Sequence, residues 1–110
     1  MQPKRIYNLQ SGADVKLNKE RAIAFCAIGQ PNQFFDFARE FYEIIPIKFD
    51  DHHKYTKTDI EELLKIAQKN QITTFITTQK DETKLKELIK NISNYSFNVL
   101  ELENKIEKID

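Results

Sequence analysis

Cysteine is almost missing from this sequence: Cys26 is the only one in 110 residues. That excludes a disulfide framework and a cysteine-built zinc site, and a reducing, cytoplasmic setting is expected. Glycine is nearly as scarce. Gly12 is followed by Ala13 and Gly29 by Gln30, so neither a G-x-x-x-x-G-K-[ST] loop nor a G-x-G-x-x-G fingerprint can be built. No cofactor is expected in this chain. Net charge is absent too, because seventeen basic and seventeen acidic residues cancel. That balance argues against a nucleic-acid partner and against a polybasic membrane patch. No apolar run approaches the roughly 18 residues of a membrane span, and no apolar h-region follows Met1-Gln2-Pro3-Lys4-Arg5. No membrane span is expected.

What is present suffices for a core. Apolar residues make up 40% of the chain and eight are Phe, enough for one domain that buries roughly two-thirds of its unfolded surface. Residues 5–9 and 15–17 are short strand candidates around the turn Ser11-Gly12-Ala13-Asp14. Residues 22–28 read Ala-Ile-Ala-Phe-Cys-Ala-Ile, a continuous apolar run expected of a central parallel strand covered on both faces. Cys26 is read as core filler. A helix follows, with Pro31 at its first position and Phe34, Phe37, Ala38, Phe41 and Tyr42 at helical spacing. Residues 44–49 form a strand that Pro46 demotes to an edge or bulge. A helix over 59–69 is expected to start at a Thr58–Glu61 capping box and to bury Ile60, Leu63, Leu64 and Ala67. Residues 72–78 are a further core strand, and a last helix buries Leu85, Leu88, Ile89 and Ile92. Residues 97–102 alternate as a half-buried edge strand would. The fold class is therefore α/β, a Rossmann-like three-layer domain with a mainly parallel sheet and helices on both faces. The expected organisation is an N-terminal extension with short strands over 1–21, the α/β domain over 22–102, and a frayed tail over 103–110.

In such a sheet the turn at Gly29, the loop at His52 and the turn at Thr78 converge on the carboxyl edge, where ligands bind. The loop Asp50-Asp51-His52-His53-Lys54-Tyr55 holds both histidines. A metal site there needs ligands beyond these, and with one cysteine and no third histidine they would have to be carboxylates. The letters Asp-His-His are shared with the DHH phosphoesterases, whose further Asp and His motifs this chain does not supply. Two readings stay open: a catalytic or orienting imidazole beside a carboxylate, which fixes its tautomer, or a structural loop. Thr77-Thr78-Gln79-Lys80-Asp81 is equally two-sided. It reads as an N-cap with Asp81 at N3, or as a phosphate site made by Lys80 and the free N–H groups of a helix start.

Taken together and in order, three segments resemble the C-terminal domain of tetraacyldisaccharide 4'-kinase, the lipid A 4'-kinase. They are Ala24-Phe25-Cys26-Ala27-Ile28-Gly29-Gln30-Pro31 with Phe34-Phe35, Phe49-Asp50-Asp51-His52-His53-Lys54-Tyr55 with Asp59, and Thr77-Thr78-Gln79-Lys80-Asp81 with Lys84-Leu85. Ala27 stands where the family usually has Gly, and Gln79 where it usually has Glu. The resemblance implies transfer of the γ-phosphate of ATP to the 4'-hydroxyl of a tetraacylated disaccharide 1-phosphate, the lipid A disaccharide precursor. The reaction lies at the cytoplasmic face of the inner membrane. ATP and Mg belong to a P-loop kinase domain, in the same or a separate chain, that is not in this sequence, so this chain is expected to be inactive alone. His52, helped by Asp51, is implied to pair with a catalytic Asp of that domain, while Gly29, His53, Tyr55, Thr78 and Lys80 line the substrate cleft. The alternative is a free-standing α/β binding module for a protein partner or an anionic sugar.

Overall fold

A computed structural model describes residues 2–103. The order of elements is β1 (Gln2–Asn8), β2 (Arg21–Cys26), α1 (Pro31–Arg39), β3 (Glu43–Lys48), α2 (Lys57–Asn70), β4 (Thr74–Thr78), α3 (Gln79–Ile89) and β5 (Ser96–Glu103). The strands make one sheet in the order β1-β5-β4-β2-β3, with every pairing parallel except that of β1 with β5.

Side chains of β2 and of Ala27 just beyond it alternate between two apolar layers. Ile23, Phe25 and Ala27 pack with Ile60, Leu63 and Ala67 of α2 and Leu85 and Ile89 of α3. Ala22, Ala24 and Cys26 pack on the other face with Phe34, Phe35 and Ala38 of α1. A strand sandwiched this way must be apolar at every position, which is why β2 reads as an unbroken run. Pro46 is tolerated because β3 is indeed at the sheet edge, paired only with β2. Pro31 occupies the first turn of α1, where its missing N–H costs nothing.

Three local expectations differ from the structure. Residues 97–102 belong to no edge: β5 lies between β4 and β1, and Phe97, Asn98, Val99 and Leu100 are all buried. β1 takes the edge instead, covering β5 with Ile6 on one face and Tyr7 on the other. Residues 15–17 form no strand. The chain after Gly12, which sits at φ +79, folds back on β1 through a single Tyr7–Asp14 bridge, and Leu17 is left exposed. The capping box of α2 lies two residues earlier than expected. Thr56 Oγ1 accepts from the Asp59 N–H (3.1 Å) and the Asp59 carboxylate accepts from the Thr56 N–H (2.9 Å). Asp59 stands at N3 of the helix that starts from Thr56, and its carboxylate reaches back to the N–H of that cap, the part expected of Glu61 towards Thr58. The expected tail lies, beyond residue 103, outside the described residues.

Candidate functional site

The topology fixes where a ligand can sit. From β2 the chain crosses by α1 to β3 on one side, and from β4 it crosses by α3 to β5 on the other, with α1 and α3 on opposite faces. Adjacent β2 and β4 therefore send their connections apart, which opens a crevice beyond their carboxyl ends. The turn 27–30 forms one wall and the start of α3 the other. The histidine loop closes the third side, since His52 N–H donates to the Ala27 carbonyl (3.3 Å) and Phe49 N–H to the Cys26 carbonyl (2.9 Å).

Within that loop the two histidines have separate fates. His53 N–H donates to the Asp50 carbonyl (3.0 Å), forming a turn whose inner residue His52 is held at φ +65. Lys19 and Gln71, the C-cap of α2, share that left-handed backbone, so the position is marked by the exposure of its ring rather than by its φ alone. The His52 ring is 89% exposed, and its Nε2 stands 3.7 Å from an oxygen of Asp51. His53 is turned inward. Its ring stacks on Phe49 with centroids 5.0 Å apart, and Nε2 donates to Asp59 Oδ2 at 2.7 Å. Partial burial pushes the Asp59 carboxyl upward. The His53 hydrogen bond, with those of Thr56, outweighs that effect and holds it below the ordinary carboxylate value.

The crevice has two parts. A cavity of about 530 Å³ is lined by the turn Ile28-Gly29-Gln30, by Thr78, Gln79 and Lys80, and by apolar side chains that include Phe34, Leu100 and Leu102. A smaller polar recess of about 230 Å³ lies beside it, lined by Gly29, Asp51, His52, Lys80 and Lys84 among others. Gly29 and Lys80 belong to both. The structure thus brings Gly29, Asp51, His52, Thr78 and Lys80 to one edge. His53 and Tyr55 line neither cavity. Tyr55 is buried and its hydroxyl donates to Asp81 (3.2 Å), while burial and then the Asp81 charge push that hydroxyl far above its ordinary pKa.

Reasoning from the sequence missed Asp81 beyond its place in the first turn of a helix. Thr78 does cap α3, accepting from the Asp81 N–H (3.1 Å), but the Asp81 side chain is completely buried. A signal existed: Asp81, Leu85 and Ile89 share one column at i, i+4 and i+8, the buried stripe of α3. Lys84 stands out in the sequence only as part of a motif, yet it lines the recess.

Neither of the two glycines is part of a phosphate-cradling loop, and among the described residues no group of three or more His, Cys, Asp or Glu could hold a metal ion. No described helix is long and apolar enough to cross a membrane.

Fold and crevice define an α/β domain of the Rossmann-like class with a candidate ligand edge at its switch point, a class that serves many unrelated functions. Residues 1–109 match the model of the tetraacyldisaccharide-1-P 4'-kinase family, and the chain belongs to that family. It is 40% identical over 81 residues to the tetraacyldisaccharide 4'-kinase of Gluconobacter oxydans, covering 70% of this chain and 24% of that protein. With the tetraacyldisaccharide 4'-kinase of Koribacter versatilis it shares 36% over 75 residues, covering 66% and 23%. With that of Halothermothrix orenii the identity is 31% over 87 residues, covering 76% and 23%. The chain spans about a quarter of the length of these curated relatives. No solved structure matches it.

Proposed function

We propose that this chain is the C-terminal domain of a tetraacyldisaccharide 4'-kinase and contributes the His52–Asp51 loop to an active site completed by a P-loop domain. The kinase transfers the γ-phosphate of ATP to the 4'-hydroxyl of a tetraacyldisaccharide 1-phosphate at the cytoplasmic face of the inner membrane. ATP and Mg are held by the P-loop domain, and this chain is inactive alone. One observation carries the reading: His52 is held at φ +65 with its ring open to solvent, at the mouth of a recess that also holds Lys80 and Lys84. A partner that closes over the edge finds an imidazole ready to orient its catalytic carboxylate.

Phosphoryl transfer depends mainly on positioning and on charge stabilisation, so a domain that holds no nucleotide still contributes by orienting the base. Asp51, 3.7 Å from His52, stands just beyond hydrogen-bond distance of the ring and would orient it on closing to bonding distance in the assembled site. Gly29, Thr78 and Lys80 line the substrate cleft, with the apolar wall of Phe34, Leu100 and Leu102 behind them. His53 and Tyr55 hold the loop from within. The test is transfer of labelled phosphate from ATP to tetraacyldisaccharide 1-phosphate, by this chain alone and by the chain joined to its P-loop domain. The expected result is none alone and turnover when joined. Transfer by the isolated chain overturns the division of labour, and a folded joined protein without transfer overturns the kinase reading.

A further inference from the structure

Asp81 lines neither cavity, yet its placement is costly. It is 0% exposed, yet its partners are neutral donors from three different segments. The Ala27 N–H beyond β2 reaches both carboxylate oxygens, at 3.2 and 3.4 Å. The Tyr55 hydroxyl at the end of the histidine loop donates at 3.2 Å, and the Thr78 hydroxyl at 2.5 Å. Capping alone does not call for this carboxylate, because Thr78 Oγ1 already accepts the Asp81 N–H. Its position in the first turn of α3 favours negative charge, and three donors replace the water it has lost.

The geometry leads from Asp81 to His52 along two short routes. Ala27 donates its N–H to Asp81 and accepts the His52 N–H at its own carbonyl, one Cα further on, 3.3 Å away. Tyr55, three residues after His52, is tied to the same carboxylate. Gly29, two residues after Ala27, lies so close to Asp51 that a Cβ there would stand 3.3 Å from its Oδ2. Turn, loop and helix start thus share one buried acceptor. We infer that Asp81 is a positioning residue, its carboxylate setting where His52 stands relative to Gly29 and to the Thr78–Lys80 turn. Its importance for phosphoryl transfer rests on the proposed function, whereas its hold on the loop does not.

Two experiments separate these parts. In the chain itself, Asp81→Asn keeps the shape but replaces one acceptor oxygen by an NH2 donor, so the hydroxyl facing it, of Thr78 or Tyr55, must turn from donating to accepting or lose its partner. Amide NMR of the folded variant should show displaced resonances for Ala27, Gly29, Asp51 and His52, beyond those caused by Leu85→Ala, a buried substitution on the same helix. Tyr55→Phe removes one donor without touching Asp81 and should move Asp51 and His52 in the same sense. Loop resonances that stay in place in both variants overturn the inference. In the joined kinase, Asp81→Asn should lower kcat on the order of a hundredfold with little change in KM for ATP. It should add little further loss in a His52→Ala background. Full additivity on that background overturns action through His52. A kinase indifferent to His52→Ala would instead strike the proposed function, leaving the NMR result standing.

Discussion

Gly29→Ala separates the stability of the carboxyl edge from its geometry. Gly29 does not lie among the residues at positive φ, so alanine can adopt its backbone. Its new Cβ would meet Asp51 Oδ2 at 3.3 Å and Asp51 Cγ at 3.8 Å, with no other non-neighbouring atom within 4 Å. The first distance is a few tenths of an ångström tighter than ordinary contact. The obstacle is the end of a flexible side chain, half exposed, which can rotate away at little cost. Loss of unfolded-state entropy stabilises a Gly→Ala change by about 0.4–1 kcal/mol, and this should offset the displacement. Denaturant unfolding should therefore give a stability within about 1 kcal/mol of the parent, while amide NMR shows Asp51 and His52 displaced. A loss above about 2 kcal/mol would mean that Asp51 is locked in place, and an unmoved loop would mean that Gly29 does not gate it.

Three further outcomes follow from the packing and the charges. Asp59→Asn should flatten the acid limb of the stability profile. The folded carboxyl lies below its ordinary value of 3.8, so its contribution is present above that value and fades as pH falls through the lower, folded one. Urea midpoints measured from pH 6 downward would check this, and an unchanged limb would speak against the His53–Asp59 bond. Cys26 should resist thiol reagents in the native protein, because burial first and the Asp81 charge second push its pKa up to about 12. Rapid labelling without unfolding would contradict its burial. Leu63→Ala, at a fully buried position of α2, should cost about 2–5 kcal/mol by thermal or urea unfolding.

The features legible in the sequence are those set by short-range pattern. The unbroken apolar run of β2, the Pro31 start of α1, the edge position forced by Pro46 and the Thr78 cap each follow from a few neighbouring residues. What escaped depends on contacts between distant segments. β5 looks like an edge until β1, some ninety residues earlier, pairs along it with Tyr7 opposite Val99. The capping box shifted because the sequence carries two overlapping Thr-x-x-acid patterns, and the structure places Asp59 where it serves both Thr56 and His53. The convergence of the three turns was legible from strand alternation alone. The different placement of the two histidines was not, since it turns on one carboxylate six residues beyond His53. Asp81 was hidden for a related reason: a polar residue on a buried stripe reads as surface until its donors, from the turn after β2 and from the histidine loop, are in place.

The most direct measurement is the turnover of the joined kinase carrying His52→Ala, with its stability measured alongside. An exposed ring contributes little to the fold, so stability should stay within about 0.5 kcal/mol of the parent. Turnover should fall by about 10²–10⁴-fold, the range of a lost acid–base group. Unchanged turnover in the folded variant would contradict the assignment of this loop to the active site.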